Sequence, residues 1–332
     1  MRITAKAPCR VDLAGGTLDI WPLYLFHEAS VTVNFAVDLY TTAVLETRND
    51  ARIVLRSADL KREEQFDSLD HLSATKKYKL PLLAWVIRHF APETGFELST
   101  NSEAPAGAGI SGSSALIIAI SSVLNKFTHA GHNLEKLREI AQNIEAQIIR
   151  VPTGLQDYYP AMYGGVSALE LSCAGIARKA IPVAPEDLNS RFVLAYTGVP
   201  RNSGINNWEV MKAHINGDRR VHRNFERIAE IANGMRHSLE ASNWPDTARL
   251  LREEWNFRRR NAPGISTPFI DRLIVTARRS GAEAAKVCGA GGGGCVFFLV
   301  PPDAKQKVAA SIAAQGATVL HAALAPRGVK LT

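Results

Sequence analysis

Pro105-Ala106-Gly107-Ala108-Gly109-Ile110-Ser111-Gly112-Ser113-Ser114-Ala115 runs directly into the apolar segment Leu116 to Leu124. A glycine-rich loop that opens a helix presents backbone N–H groups without intrahelical partners, at the positive end of the helix dipole. The glycines remove side chains that would hold an anion away, so the junction suits a phosphate. Ser113 and Ser114 add two small oxygen ligands of the kind that reach a phosphate-bound Mg²⁺. The chemistry indicated is nucleotide binding.

Two stretches fit G-x-G-x-x-G, Gly107 to Gly112 and Gly289 to Gly294. A dinucleotide fold would set such glycines directly after its first strand. Here the polar segment Asn101-Ser102-Glu103-Ala104-Pro105 intervenes, and no clear βαβ unit surrounds either loop. G-x-x-x-x-G-K-[ST] is absent, which excludes a P-loop phosphotransferase as far as a motif can.

Three charged residues could do chemistry beside the phosphate loop. Glu145 follows Ile144 at the edge of the stripe Leu134, Leu137, Ile140, Ala141, Ile144 and Ile148. A carboxylate there is either a surface residue or a buried group that needs a partner or a metal. Asp157 follows the turn at Gly154 and, standing alone, reads as a helix cap. Arg10 reads equally well as a strand-end surface charge, but Asp12, Gly15, Gly16 and Asp19 follow within ten residues. Loops of this make-up often line sites.

The elements that must hold these groups are visible in the pattern. Val31 to Val37 alternates as a strand, Asn49-Asp50 turns, and Arg52 to Arg56 forms a second strand. A helix is expected over Tyr78 to Phe90 and a strand over Gly95 to Thr100 before the glycine loop. One helix starts near Ser113; another, capped by Asn133, ends before Val151-Pro152-Thr153-Gly154. Strands are expected over Val166 to Leu171, Phe192 to Tyr196, Ala284 to Cys288 and Cys295 to Val300. Helices are expected over Ile205 to Ile215, Val221 to Glu240, Asp246 to Arg260 and Thr267 to Arg279. Strands and helices that mix without strict alternation argue for an α+β fold, divided near residue 185 within Pro182 to Pro185.

Composition narrows the class. The 332 residues, 46% hydrophobic and 21% charged, suit a globular protein with no bilayer-length apolar run. The N-terminus lacks a signal-like apolar stretch, so a cytoplasmic location is expected, with no membrane partner. Cys9, Cys173, Cys288 and Cys295 form no C-x-x-C pair and read as reduced, mostly buried thiols. The net charge of +7 is spread out, and Arg219-Arg220, Arg258-Arg259-Arg260 and Arg278-Arg279 read as solvated helix faces. No aromatic-interleaved basic stripe accompanies them, so no nucleic-acid partner is expected; an anionic small substrate fits the charge.

Three motifs in order resemble the GHMP kinases, the superfamily of galactokinase, homoserine kinase, mevalonate kinase and phosphomevalonate kinase. Ala7 to Asp19 is similar to the family's substrate motif, Pro105 to Ala115 to its phosphate loop, and Lys286 to Gly294 to its C-terminal glycine motif. Gly154 to Tyr159 with Gly164-Gly165, and Tyr196-Thr197-Gly198 with Arg201 and Ser203, resemble the D-glycero-D-manno-heptose 7-phosphate kinase and fucokinase branch.

The resemblance implies a two-lobed fold. A ribosomal-protein-like α+β lobe would cover residues 1–185 and a ferredoxin-like lobe residues 186–332, with the site between them. It implies ATP, Mg²⁺ and transfer of the γ-phosphoryl group to a hydroxyl of a sugar or sugar phosphate, by a monomer or homodimer. It places Asp157 as catalytic base or orienter, Arg10 beside it, and Glu145 with Ser114 (or Ser113) on Mg²⁺. Pro105, Gly107, Ala108, Gly109, Ile110, Ser111, Gly112, Ser113 and Ser114 would bind the nucleotide phosphates. Asp19, Gly15, Gly16, Thr17, Gln156, Gly291 and Gly292 would face the acceptor.

Three positions depart from the family. Gly15-Gly16-Thr17 replaces the Gly-Glu-His of galactokinases, Leu18 separates Thr17 from Asp19, and Ile110-Ser111-Gly112-Ser113 stands for the usual Leu-Gly-Ser-Ser. A non-catalytic sensor of sugar and nucleotide on the same fold, and a mevalonate-type kinase, are the alternative readings.

Overall fold

One long strand organises the larger sheet. The computed structural model describes residues 1–200 and 203–332; Arg201 and the Ser203 side chain lie outside that description. Strands β1 (Arg2–Ala14), β2 (Val31–Thr47), β3 (Ile53–Ser57), β4 (Arg62–Phe66), β5 (Phe96–Ser102), β6 (Val166–Ser172) and β7 (Gly175–Ile181) belong to the first sheet. A second, antiparallel sheet holds β8 (Phe192–Tyr196), β9 (Ala284–Val287), β10 (Cys295–Leu299) and β11 (Thr318–Leu320), in the order β11-β8-β10-β9. The short β12 (Lys330–Leu331) returns to pair with β1.

β2 pairs with β1 along one edge. On its other edge its first half meets β6 and its second half β5. It thus runs through Thr47, ten residues beyond the expected Val37, because β5 continues the ladder after the apolar alternation ends. β1 shifts register between Pro8 and Cys9 and again after Asp12, so two irregularities bracket Arg10 and Asp12. Such shifts re-aim side chains beside sites.

The helices are α1 (Leu69–Ala74), α2 (Pro81–Phe90), α3 (Gly112–Phe127), α4 (Leu134–Ile149), α5 (Tyr159–Tyr163), α6 (Pro185–Ser190), α7 (Ser203–Ile215), α8 (Arg219–Glu240), α9 (Trp244–Arg258), α10 (Pro268–Arg279) and α11 (Lys305–Ala313). α2 begins at Pro81 rather than Tyr78, since proline is preorganised for a first helical position. α3 is buried almost all round, from Ser114 to Leu124, between the sheet and helices α2 and α4. That burial fixes where its N-terminus points. Asn133 caps α4 by accepting the Lys136 N–H, as expected.

The fold is thus α+β with two sheets. A separate small core joins Leu18, Ile20 and Leu23 to Val210 and Met211 of α7 and to Val221, Phe225, Ile228 and Ala229 of α8. It anchors the loop between β1 and β2, which carries Thr17 and Asp19. Among the described residues no helix is long and apolar enough to cross a membrane.

Candidate functional site

Period-two alternation on β1 turns Cys9, Val11 and Leu13 into the main core, and Arg10 and Asp12 the other way. Burial pushes the Cys9 thiol up to about 12, which keeps it protonated and inert. Arg10 is 2% exposed, so its reading as a surface charge is corrected. Its Nε donates to Asp157 Oδ1 at 3.0 Å, its Nη2 donates to the same oxygen, and its Nη1 donates to the Gly109 carbonyl at 3.0 Å. Burial alone would lower the Arg10 pKa, but Asp157 and Asp12 outweigh it and hold the guanidinium charged. Asp157 does not cap α5, whose first flanking residue is Tyr158; it faces a cavity of about 450 Å³.

The glycine loop forms one wall of this cavity. Pro105, Gly107, Ala108, Gly109, Ser111, Gly112 and Ser113 line it, while Ile110 and Ser114 are buried behind. The Ile110 carbonyl accepts the Arg10 backbone N–H at 2.9 Å, which binds loop to strand. Ser111 precedes α3 in a left-handed conformation at φ 60°, its hydroxyl buried and without a protein partner. An unpartnered hydroxyl at a helix N-terminus fits a phosphate oxygen.

Glu145 resolves its two readings in favour of burial, at 7% exposure. Ser113 Oγ donates to it at 2.6 Å, Ser114 Oγ at 3.0 Å and the Tyr158 hydroxyl at 2.6 Å. Burial raises its pKa, and the three hydroxyls only partly oppose this. Among the described residues no cation pairs with it. A hard divalent ion would supply the missing countercharge and accept carboxylate and serine oxygens. The donor set therefore fits Mg²⁺, with Ser113 on the cavity side.

Asp19 forms part of the opposite wall, between the buried Leu18 and Ile20. Its Oδ2 accepts the Gln156 N–H at 2.9 Å. Gly154 must lack a side chain here, because a Cβ would sit 2.3 Å from that oxygen. Burial first, and the nearby Asp157 second, push the Asp19 carboxyl up to about 7. Thr17 and Gln156 line the same wall, and Arg258 Nη2 donates to Thr17 Oγ1 at 3.2 Å.

Four expected acceptor residues are placed elsewhere. Gly15 packs on Val31, Gly16 on Asp12 and Arg258, and Gly291 on Ile265, while the Gly292 N–H donates to the Ile265 carbonyl at 2.9 Å. None lines the cavity; Gly289 and Ala290 do. These glycines shape the walls. Gly294 shows how: its backbone lies against Ala108, and the neighbouring Cys295 N–H donates to the Ala108 carbonyl at 2.6 Å.

Sequence reasoning missed a buried ion cluster behind the acceptor wall. Asp12 Oδ2 lies 3.1 Å from Lys286 Nζ and 3.2 Å from Arg258 Nη1. Glu254 Oε1 lies 3.1 Å and 2.9 Å from the same two cations. Burial would raise the Asp12 pKa, but Lys286, Arg258 and Arg10 bring it down instead. Arg258 is thus not a solvated helix residue, whereas Arg259 and Arg260 are exposed. Two signals were available: the i,i+4 spacing of Glu254 and Arg258, and a lone lysine inside an apolar strand.

The chain matches family models described as GHMP kinases N terminal domain, over residues 79–165, and GHMP kinases C terminal, over residues 235–318. It is 25% identical to a D-glycero-alpha-D-manno-heptose 7-phosphate kinase of Campylobacter jejuni, covering 99% of this chain and 98% of that one. A D-glycero-D-manno-heptose 1-phosphate kinase structure from Bacteroides thetaiotaomicron superposes with TM-score 0.79 at 22% identity, over 99% of this chain and 98% of that one. A Lactococcus lactis galactokinase complexed with galactose superposes with TM-score 0.81 at 20% identity, over 99% of this chain and 95% of that one. The chain belongs to the GHMP kinases and, by that membership, is a phosphotransferase.

Proposed function

We propose that this kinase transfers the γ-phosphoryl group of Mg·ATP to a hydroxyl of a sugar or sugar phosphate, with a heptose 7-phosphate-like or fucose-like acceptor. One observation carries the reading. The Arg10 guanidinium spans from Asp157 to the Gly109 carbonyl, joining the candidate catalytic carboxylate to the candidate phosphate loop.

In this mechanism Asp157 orients the acceptor hydroxyl and receives its proton. Arg10 holds Asp157 in place and offsets negative charge near the transferred group. The loop Pro105 to Ser114 and the N-terminus of α3 cradle the nucleotide phosphates. Glu145 and a serine hydroxyl, Ser113 or Ser114, would hold Mg²⁺, which when bound neutralises phosphate charge. Phosphoryl transfer draws mainly on such positioning and charge neutralisation. Asp19, Thr17 and Gln156 accept and donate hydrogen bonds to acceptor hydroxyls. The named activity of the Campylobacter relative supports the sugar-phosphate choice. The lobe division at 185/186, a cytoplasmic location and a monomer or homodimer belong to the same proposal.

Coupled ADP release with Mg·ATP, measured over hexoses, heptoses, deoxysugars and their phosphates, tests it. Turnover that depends on one acceptor is expected. Phosphorylation of mevalonate but of no sugar, or ATP binding without turnover on any acceptor, would overturn it.

A further inference from the structure

Away from the cavity, three histidines from distant segments converge. His27 follows the short helical turn Leu23–Phe26, His214 lies near the end of α7, and His222 lies in the first turn of α8. One ring nitrogen from each falls within 4.8 Å of the others. His27 and His214 are 7% and 5% exposed, and their Nε2 atoms are 2.7 Å apart. Both Nδ1 atoms are buried without a partner. Phe26 and Phe225 close the surroundings with ring contacts at 5.6 Å and 5.5 Å from His214.

A purely structural histidine pair accounts poorly for this. A structural pair uses the two Nε2 atoms for one Nε2–H···Nε2 bond, in which only one can be the acceptor, whereas a metal ion accepts both lone pairs. The third ring would add nothing to that bond. His222 is instead oriented by a carboxylate, with its Nδ1 3.3 Å from Glu226 Oε1. That pairing leaves Nε2 as its ligand atom, the arrangement in which acidic partners orient metal-binding histidines.

We propose that His27, His214 and His222 form a transition-metal site for Zn²⁺ or a similar imidazole-preferring divalent ion. Three imidazoles and no carboxylate facing inward exclude Mg²⁺ and Ca²⁺, which take oxygen. Zn–N bonds of about 2.05 Å at tetrahedral angles set nitrogens about 3.3 Å apart, so the His27 and His214 rings need to open by roughly half an ångström. The half-buried His222 side leaves the fourth position to water. The metal would staple the β1–β2 loop, which carries Thr17 and Asp19, to the α7–α8 hairpin. This site is separate from the Mg²⁺ position at Glu145 and does not depend on the proposed activity.

The test uses the full chain produced without a polyhistidine tag and stripped with EDTA. Titration calorimetry with ZnCl₂ in the presence of millimolar MgCl₂ is expected to show one equivalent bound with Kd below ~1 µM. Melting temperature should rise with added ZnCl₂, because the ion binds the folded chain. His27→Ala and His214→Ala should abolish both effects. His222→Gln, at the solvent edge and safe for folding, should weaken binding at least ~10-fold. A double His89→Ala/His132→Ala control should leave binding unchanged. No saturable binding below ~10 µM, or binding indifferent to His222→Gln, would overturn the assignment.

Discussion

Lys286 Nζ sits 3.1 Å from Asp12 Oδ2 although 274 residues separate them, and neither side chain is exposed. With Arg258 and Glu254 they make a neutral quartet that ties β1 of the first sheet to β9 of the second and to α9. Removing one member of a buried cluster leaves an uncompensated charge. Lys286→Met should therefore cost about 3–5 kcal/mol in urea unfolding. Adding Asp12→Asn should recover part of that loss. A Lys286→Met protein as stable as wild type would show that the quartet holds nothing together.

Arg10 grips Asp157 through two N–H groups, which hold the carboxylate at the cavity wall. Asp157→Asn keeps the shape and loses the basic oxygen. It should lower kcat by about 10²–10⁴-fold, the usual range for a positioned general base, with nucleotide affinity nearly unchanged. Steady-state kinetics beside nucleotide titration separate the two. Full activity in the variant would remove Asp157 from the mechanism.

Gly294 has φ +74°, and a Cβ there would stand 2.6 Å from the Ala108 carbonyl oxygen. Gly294→Ala must therefore push on the phosphate loop from behind. Nucleotide Kd should rise at least ~10-fold, equivalent to about 1.4 kcal/mol, while acceptor KM moves little. Equal weakening of both ligands would mean the glycine motif supports the whole cleft rather than the loop.

Local signals made much of this fold legible. The α4 stripe, its Asn133 cap and the β8 strand at Phe192–Tyr196 are legible from pattern alone. Long-range pairing is not. β2 extends to Thr47 because β5 meets it, and nothing between Asp38 and Thr42 announces that partner. Arg258 looks like its exposed neighbours Arg259 and Arg260 until Asp12 and Lys286 arrive from either end of the chain. Glu145 could not be decided on its helix, because the hydroxyls that bury it come from α3 and from Tyr158. The glycines misled in a different way. Gly15, Gly16 and Gly291 sit in motifs beside the cavity, but their missing side chains make room for backbone and ion-cluster neighbours rather than for a ligand, and the Gly292 N–H is spent on the Ile265 carbonyl.

Ser113 and Ser114 share Glu145 but differ in access, since Ser113 lines the cavity and Ser114 is 2% exposed. Ser113→Ala should raise the Mg²⁺ concentration for half-maximal rate several-fold with little change in stability. Ser114→Ala should instead cost about 1–2 kcal/mol of stability by removing a donor from a buried carboxylate. Rate profiles against free Mg²⁺, paired with thermal unfolding, tell them apart. The reverse pattern would assign the metal to Ser114.

Asp19 carries a pH signature of its own. Its carboxyl is pushed from an ordinary 3.8 to about 7 by burial and by Asp157. Between those values the folded chain keeps a proton that the unfolded chain has released, so this group favours folding at low pH. Its contribution is lost as pH rises through about 7. Asp19→Asn does not titrate. Its stability relative to wild type should therefore climb between pH 5 and pH 8, by about 2.6 kcal/mol, whatever constant cost the new amide adds beside the Gln156 N–H. Acceptor KM should rise in the same variant, because a carboxylate that accepts sugar hydroxyls has been replaced. Urea unfolding of both proteins across that range checks the first expectation. Parallel stability curves would mean that Asp19 is already ionised at pH 5, held by a cation or by solvent in the cavity.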